Sequence, residues 1–359
     1  MDSQLLKLKK LREEYMEETQ IDALLLTHLP HIAYLSGFTG SNALLFISHN
    51  DLLLVTDSRY EEQAKNECPL GNVLIAKGKL LEHLAAQISA QKGDRFGFLE
   101  EHANYRWVLN ARKLFNPAKC IGVEDPVAVM KMQKLPDELR AIRSACKLTD
   151  RIMQNTVGLI RPGMTEAELA AEIVYHGSLE GSQRTSFDPI VVSGPRSSLI
   201  HGTHSQRRLR SGDTVLMDFG FHRGGYASDM TRTVFLGKKV KQMAKVYDTV
   251  HSAYMLALDT VEAGMPAAEL DRIVREYIAE AGYGEYFQHA LGHGLGMEVH
   301  ERPIISGRST DTLENGCVFT IEPGIYIPGA GGVRIENTIS LQKDGPEELM
   351  TMTTQPLVV

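Results

Sequence analysis

The feature that constrains the fold most is a segment that occurs twice in the second part of the chain. Residues 163–169 read GMTEAEL, and 101 residues later residues 264–270 read GMPAAEL. Each copy opens a helical pattern that ends at a glycine, Gly181 or Gly282, with acidic residues where the helix dipole favours them. Chance similarity of two amphipathic helices is the alternative. One repeat is too few for a solenoid, so we predict two related halves that face each other across a site.

The first part of the chain has a different pattern. Short apolar runs predict strands at 21–27, 43–48, 52–56 and 73–76, and apolar spacing predicts helices at 60–66 and 80–91. A long amphipathic helix is predicted at 136–159. We therefore expect an α/β N-terminal domain over residues 1–125 and an α+β domain with pseudo-twofold symmetry over residues 126–359.

Composition excludes several classes of protein. Of the 359 residues, 43% are hydrophobic and 23% are charged, and the net charge is −7. A membrane span needs about 20 consecutive apolar residues, whereas the apolar runs here have the length of strands. The acidic balance without a basic block argues against nucleic acid as a partner. Four dispersed cysteines suit a reducing compartment, and residues 1–14 lack the pattern of a signal peptide. We expect a cytoplasmic protein.

Two acidic residues flank a predicted turn. Asp218 and Asp229 lie on either side of the Arg223-Gly224-Gly225 segment. A hairpin centred between Arg223 and Gly224 would place the two carboxylates opposite each other. Like charges directly opposite on a ladder destabilise the strand pair, so this arrangement requires a positive charge between the two carboxylates.

The same arrangement returns later in the chain. Glu322 and Glu336 lie at equal distances from Gly329 along the chain, so a hairpin centred there makes them face each other.

Four carboxylates in one cleft raise one another's pKa and resist burial, and two divalent cations would neutralise them. His293, within Gly292–Gly296, adds an imidazole. One histidine among oxygen ligands suits manganese, cobalt or iron better than structural zinc. Paired metals favour hydrolysis, whereas each acid alone would be read as a solvated edge residue.

Other polar residues near these segments are candidates for contacts with a substrate. His201, His289 and His300 could donate to a developing oxyanion or carry protons. Arg334 lies two residues before Glu336, on the same predicted strand face, and could hold a carboxylate. A structural or surface role is the alternative for each of the four, and is the interpretation of His204, His222 and His251.

These segments together resemble a known family. DFGFHRGGYASDMTRT, HALGHGLGMEVHE, FTIEPGIYIP and GVRIEN, with SGPRSSLIHG, are similar to the motifs of the M24B "pita-bread" metallopeptidases. The whole chain resembles the Xaa-Pro branch of that family, aminopeptidase P and prolidase. SGFTGSNALLFIS and TDSRYEEQA resemble its N-terminal domain. The resemblance implies a creatinase-like α/β N-terminal domain and a pita-bread catalytic domain.

The resemblance also implies a role for each candidate residue. Asp229 and Glu336 would bridge two metal ions, most often manganese, with cobalt, iron and zinc as alternatives. Asp218 would chelate one ion, while His293 and Glu322 complete the other. Glu322 would also take the proton of the attacking water. The substrate and oxyanion residues would be His201, His289, His300 and Arg334.

The implied reaction releases the N-terminal residue of Xaa-Pro peptides, and restriction to dipeptides, as in prolidase, is the alternative. Ile200 and Thr203-His204 depart from runs that contain proline in many relatives. Ile304 stands where some prolidases have an arginine after the proline, which weakens the dipeptidase reading. A methionine aminopeptidase usually lacks a domain like residues 1–125. Creatinase lacks the metal set, and an inactive peptide-binding member would have lost ligands.

The family resemblance further implies a homodimer. We therefore expect sedimentation velocity at micromolar protein to show a species of twice the chain mass of 39.8 kDa. A single monomeric boundary at that concentration would contradict the expectation.

Overall fold

The computed structural model describes residues 2–359, which divide into two compact units between Met130 and Lys131. The sequence placed the boundary between residues 125 and 126. Within the described residues, no helix is both long enough and apolar enough to cross a membrane. The same residues contain four buried cysteines, each with a free thiol.

The first unit is built on a six-stranded sheet with the order β4-β3-β2-β1-β5-β6. Strands β1, β5 and β6 are parallel to one another, as are β3 and β4, while β2 runs antiparallel to both of its neighbours. The strands are β1 (Ala23–Leu26), β2 (Ala43–Ser48), β3 (Leu52–Asp57), β4 (Asn72–Ala76), β5 (Arg95–Leu99) and β6 (Lys119–Val123). The helices are α1 (Asp2–Lys10, continued by a π-helical turn Leu11–Met16), α2 (Leu29–Ser36), α3 (Glu61–Glu67), α4 (Leu80–Ala85) and α5 (Tyr105–Leu114).

The apolar runs explain why this sheet forms. All four residues of β1 are buried, as are five of the six in β2. Strands covered on both faces read as continuous apolar runs instead of alternating ones. The four predicted strands are confirmed to within two residues at each end. The helix predicted at 80–91 is wrong in length, because α4 ends at Ala85.

The second unit combines long helices with short antiparallel sheets. One sheet has the order β11-β9-β8 and another the order β14-β13-β16-β19-β20. The helices are α6 (Pro126–Met132, which crosses the division), α7 (Pro136–Leu159), α8 (Glu166–Leu179), α9 (Lys241–Thr260) and α10 (Ala267–Glu280). The strands are β7 (Arg184–Thr185), β8 (Ile190–Ser193), β9 (Thr214–Phe219), β10 (Phe221–His222), β11 (Met230–Phe235), β12 (Met265–Pro266), β13 (Gly292–Gly294), β14 (Glu301–Ile305), β15 (Thr312–Leu313), β16 (Val318–Ile321), β17 (Gly324–Ile327), β18 (Gly331–Arg334), β19 (Asn337–Gln342) and β20 (Gly345–Glu348).

The sequence repeat is a structural repeat. Helices α8 and α10 both begin and both end 101 residues apart. The glycines that follow them, Gly181 and Gly282, have φ of 82° and 86°. This left-handed conformation closes helices and favours glycine. The helix predicted at 136–159 is confirmed as α7. Each half of this unit therefore has a helix of the same length behind its own sheet.

The first acidic hairpin has a different register from the predicted one. Strands β9 and β11 pair so that Asp218 lies opposite Thr231, not opposite Asp229. The turn is formed by Gly224 and Gly225, with φ of 61° and 80°, as a two-residue hairpin loop with positive φ at both positions requires. The predicted centre of the hairpin was one residue too early, which shifted the partner of every residue by two positions.

The second acidic hairpin has the predicted register. Strands β16 and β19 pair at Ile321 and Asn337, and β17 and β18 pair at Gly324 and Arg334. Both ladders are centred on Gly329. Glu322 and Glu336 occupy opposite positions in the gap between the two ladders. The prediction that these two residues face each other is confirmed.

Backbone contacts join the two hairpins. Thr231 forms an isolated bridge with Glu336, and the Glu336 amide donates to the Thr231 carbonyl at 3.2 Å. The buried Arg232 donates to the Glu336 carbonyl at 2.6 Å and to Asn337 Oδ1 at 2.7 Å. These bonds bring the ends of β11 and β19 together, so that both acidic pairs lie at one place.

Gly292 marks the closest backbone approach next to His293. A Cβ atom at Gly292 would lie 1.9 Å from the Thr320 carbonyl oxygen. Since backbone cannot give way as a flexible side chain can, Gly292→Ala should lower the free energy of unfolding by about 1–3 kcal/mol. Urea denaturation measures this change.

Gly158→Ala is the matched control. Gly158 lies in α7 with nothing within 4 Å of its added Cβ, so alanine should leave stability unchanged or raise it by up to about 1 kcal/mol. Equal midpoints for Gly292→Ala and the unchanged protein would contradict the close approach.

Candidate metal centre

All nine residues singled out in the sequence line one cavity of the second unit. The cavity has a volume of about 460 Å³. Its polar lining consists of Asp218, Asp229, Glu322, Glu336, His201, His289, His293, His300 and Arg334. Its apolar lining includes Phe187, Ile190, Ile200 and Ile304. By contrast, His204, His222 and His251 lie outside it.

The carboxylates reach the cavity from the ends of four strands. Asp218 is in β9, Asp229 directly precedes β11, Glu322 directly follows β16, and Glu336 lies between β18 and β19. Asp229, His293 and Glu336 each offer one ligand atom, and all three atoms lie within 4.8 Å of one another. Asp229, Glu322 and Glu336 thus lie just outside the strands, whereas Asp218 is paired within its sheet, opposite Thr231 and Ile190.

His293 faces two of the carboxylates. Its Nε2 lies 3.6 Å from Asp229 Oδ2 and 3.4 Å from Glu322 Oε1. Its Nδ1 lies 3.1 Å from the Gly294 carbonyl oxygen. A carbonyl only accepts, so this contact assigns the proton to Nδ1 and leaves Nε2 as the lone-pair atom. Burial, helped by the neighbouring His300, lowers the pKa of His293 to about 4. The ring is therefore neutral at pH 7.

Each carboxylate in the cavity destabilises the ionised form of the others. Burial and the charges of Glu336, Asp218 and Glu322 raise the pKa of Asp229 far above its ordinary range. Burial and the charge of Glu336 also raise the pKa of Glu322. The pKa of Glu336 is raised in turn, by burial and by Asp218. One arginine does not balance four acids in a low-dielectric cavity.

The donor set fits divalent cations. Asp218 Oδ1 and Asp229 Oδ1 are buried and make no hydrogen bond among the described residues, and an orphaned buried oxygen is costly. Four carboxylates and one imidazole form an oxygen-rich set typical of manganese, cobalt or iron. Two cations would supply the missing positive charge and the missing partners of these oxygens.

Arg334 connects the acidic cluster to the wall of the cavity. Its guanidinium donates to Asp218 in a close ion pair and to Thr231 Oγ1 at 3.0 Å. It also donates to Tyr326 Oη at 2.8 Å. Burial lowers the pKa of Arg334, but Tyr326 and the cluster acids raise it well above its ordinary value, so the charge is permanent. Arg334 therefore orients Asp218. Moving the guanidinium away would leave the Asp218 carboxylate buried without its ion-pair partner.

His289 lies in the same wall. Its Nε2 contacts Tyr326 Oη at 2.9 Å, and its Nδ1 contacts the Ala290 carbonyl oxygen at 2.8 Å. Its Nδ1 also lies 3.9 Å from Glu322 Oε2. Burial and the Arg334 charge lower the pKa of His289 to about 3. The result is a neutral imidazole held between Tyr326 and the backbone.

His300 borders the cluster from another side. Its ring lies 4.4 Å from the His293 ring at an interplanar angle of 68°. Burial lowers the pKa of His300, so it too is neutral at pH 7. His201 also lines the cavity. The four histidines therefore surround the acids, and His289, His293 and His300 do so as neutral rings.

Sequence reasoning missed two residues that hold the others in place. Tyr326 joins His289 to Arg334, and Thr231 Oγ1 donates to Glu336 Oε2 at 2.6 Å. Tyr326 follows Glu322 by four positions and Thr231 follows Asp229 by two. The period of two in a strand could have placed them on the same faces as the acids, but hydroxyl groups alone gave no reason to choose them.

Comparison with known proteins places the chain in a family context. The family described as Metallopeptidase family M24 matches residues 140–343, and the Creatinase/Prolidase N-terminal domain matches residues 7–133. The Xaa-Pro dipeptidase of Pyrococcus horikoshii is 36% identical over 354 residues, which cover 98% of each chain.

Solved structures give the same result. An Xaa-Pro dipeptidase from Bacillus anthracis aligns with a TM-score of 0.93 at 32% identity, covering 99% of both chains. An X-Pro aminopeptidase from Thermotoga maritima aligns with a TM-score of 0.89 at 38% identity, covering 96% of this chain and 100% of the other. The predicted fold class is confirmed: a creatinase-like α/β domain followed by an α+β pita-bread catalytic domain.

If Asp229 and Glu336 bridge two ions, removing either should abolish both metal binding and hydrolysis. We expect Asp229→Ala and Glu336→Ala each to retain less than one metal ion per chain, measured by elemental analysis after dialysis against manganese. Hydrolysis should fall to the background of chelated wild type, because the remaining acids cannot hold both ions.

His300→Ala is the contrasting variant. It removes a ring that borders the acids without belonging to the metal-ligand set, so it should keep the wild-type metal content and lower kcat. A bridging variant with two ions and full turnover would overturn the ligand assignment. Wild-type kcat in His300→Ala would exclude a role in the transition state.

Proposed function

The chain belongs to metallopeptidase family M24, and from that membership we propose that it hydrolyses the Xaa-Pro bond of peptides and releases the N-terminal residue. The observation that carries the proposal is the single cavity, in which four buried carboxylates and a neutral imidazole meet an apolar wall. The family acts on peptides by means of divalent metal ions. The choice of proline is supported by the names of the relatives, several of which are Xaa-Pro dipeptidases.

We propose that Asp218, Asp229, His293, Glu322 and Glu336 hold two divalent cations, with manganese as the proposed ion. When bound, the cations supply a water of lowered pKa and polarise the scissile carbonyl. The protein supplies a rigid donor set, since Arg334 fixes Asp218, Thr231 fixes Glu336 and the Gly294 carbonyl fixes the His293 ring.

Glu322 is the proposed proton acceptor. Its carboxylate lies beside the metal-ligand set, with Oε1 at 3.4 Å from His293 Nε2, and a carboxylate held in such a position can act as a general base. Thr320 Oγ1 donates to Glu322 Oε1 at 3.3 Å, which holds one carboxylate oxygen in place. After accepting the proton, Glu322 can pass it to the leaving nitrogen of proline.

The histidines are proposed to act around the scissile carbonyl. His201 and His300 are rings in the cavity wall, able to donate to the oxygen that gains charge. His289 has both ring nitrogens engaged, with Ala290 and with Tyr326. We therefore assign His289 the role of shaping the wall beside Glu322, through its fixed contact with Tyr326.

The apolar wall suits the proline side of the bond. Ile190, Ile200, Ile304 and Phe187 line the cavity together, and an apolar pocket favours a pyrrolidine ring over a polar side chain. Ile200 and Ile304 are two of the positions where the sequence departs from many relatives. Both departures place aliphatic carbon in the cavity wall.

The lining also bears on the length of the substrate. A dipeptidase needs a cation for the free carboxylate of its substrate. Among the described residues that line the cavity, Arg334 is the sole arginine or lysine, and it is already paired with Asp218. Arg302, the arginine nearest in sequence to Ile304, pairs with Asp311 instead. We therefore favour peptides longer than two residues, with a dipeptidase as the second candidate because relatives carry that name.

The decisive assay offers Ala-Pro, Ala-Pro-Ala and Met-Ala-Ala to the manganese-loaded protein. We expect Ala-Pro-Ala to release alanine at a higher kcat/KM than Ala-Pro, because the one arginine or lysine among the described lining residues, Arg334, is already paired with Asp218. Released alanine and methionine are measured by chromatography. The matched control is the same protein treated with a chelator, which should cleave none of the three.

Each outcome assigns a different activity. Cleavage of Ala-Pro alone establishes the dipeptidase. Turnover confined to Met-Ala-Ala would contradict the Xaa-Pro proposal. Failure to cleave any of the three with manganese, cobalt, iron or zinc would contradict hydrolysis by this cavity.

A further inference from the structure

A second cluster of potential metal ligands lies in the first unit, among residues that the proposed reaction does not use. His28, His31 and His102 each offer one ring nitrogen, and the three nitrogens lie within 4.8 Å of one another. Asp125 adds a carboxylate, with Oδ2 at 2.6 Å from His31 Nε2 and 3.2 Å from His102 Nε2. Three histidines and an acid at this density are the ligand types of a borderline transition-metal ion.

The parallel part of the sheet brings these residues together. His28 and His31 follow β1, His102 follows β5, and Asp125 follows β6. Since β1, β5 and β6 are parallel neighbours, their carboxyl ends meet at one edge of the sheet. Open α/β sheets bind ligands at this edge. The position in the fold therefore supports a binding site here, independently of the residue types.

We propose that His28, His31 and His102 bind one divalent transition-metal ion of the zinc, nickel or copper class, with Asp125 orienting the His31 and His102 rings. A carboxylate that holds a ligating histidine from its other nitrogen is the usual outer partner of such sites. Glu101, next to His102, lies in a second group with His102 and Asp125 whose ligand atoms are within 4.8 Å of one another. Asp125 and Glu101 therefore supply negative charge that would balance the positive charge of the ion.

The burial of the cluster suits an ion that enters from solvent. His31 and Asp125 are buried, with 3% and 5% of their side chains exposed, while 25% of the His102 side chain is exposed. The Ala128 amide donates to Asp125 Oδ1 at 3.0 Å, so the carboxylate is fixed beneath a partly open ring of imidazoles.

Binding requires a small rearrangement. The His28 ring is stacked on the His102 ring, with centroids 3.8 Å apart and planes 9° apart. Zinc–nitrogen bonds of about 2.0–2.1 Å place neighbouring ligand nitrogens about 3.3 Å apart in a tetrahedron. His28 therefore turns out of the stack to reach the ion. His31 meets His102 nearly edge-on, at 82°, so those two rings already point along different directions.

The test counts zinc on the full chain in a background that disables the catalytic cavity, Asp229→Asn with Glu336→Gln. After equilibrium dialysis against zinc, we expect one bound ion per chain by elemental analysis. Adding His28→Gln and His102→Gln should remove that ion. The matched control is His49→Gln, an exposed histidine in the turn between β2 and β3 of the same unit, which should retain it.

A second readout identifies the ligands. Copper(II) bound in the same background should show nitrogen hyperfine coupling from imidazoles in its electron paramagnetic resonance spectrum, and the coupling pattern should change in His102→Gln alone, because one of the three imidazoles is removed. The His102 side chain is 25% exposed, so replacing it should disturb folding little. This single variant keeps the test valid if the double variant fails to fold. Equal zinc content with and without His28 and His102 would overturn the proposal. So would a copper spectrum unchanged by His102→Gln. Neither result would bear on Xaa-Pro hydrolysis.

Discussion

The second unit depends on the repulsion among four carboxylates that the fold buries in one cavity. Asp218, Asp229, Glu322 and Glu336 cannot all be ionised there without positive charge. Arg334 contributes one permanent charge, while burial lowers the pKa of His289 and of His293, so these two rings stay neutral. The unpartnered oxygens of Asp218 and Asp229 show where compensation is still missing. The same repulsion that opposes folding would favour the binding of divalent cations in the cavity.

The architecture holds the acids against that repulsion by means of backbone. Each half of the repeat contributes one hairpin, and Asp229, Glu322 and Glu336 sit where a ladder stops or is interrupted. Thr231 and Arg232 then join the hairpins through Glu336. Backbone ladders are cooperative and cannot shift one residue at a time. The positions of the charges are thus fixed by hydrogen bonds that do not depend on the charges themselves.

Buried carboxylates also anchor the segments that carry cavity histidines. Glu166, at the start of α8, accepts from Ser193, Arg196 and Ser205, on both sides of His201. Asp271, in α10, pairs with Arg275, which donates to the His289 carbonyl at 2.9 Å. Each repeat helix thus uses one buried acid to hold a histidine segment of its own half. The two halves thus hold their histidine segments in place with different residues, as expected of repeats whose sequences have diverged.

The sequence by itself determined the two-part organisation, the repeat, the long helix and the residue types of the cavity, because apolar periodicity and glycine placement are local properties. It also determined the register about Gly329. It could not decide the register of the first hairpin, since Gly224 and Gly225 share one tight turn and a shift of the centre moves every pair. Only the tertiary structure brought Tyr326 and Thr231 to the acids. It alone gathered the histidines that follow β1 and β5 at one sheet edge, because that proximity arises from strand order and not from spacing along the chain.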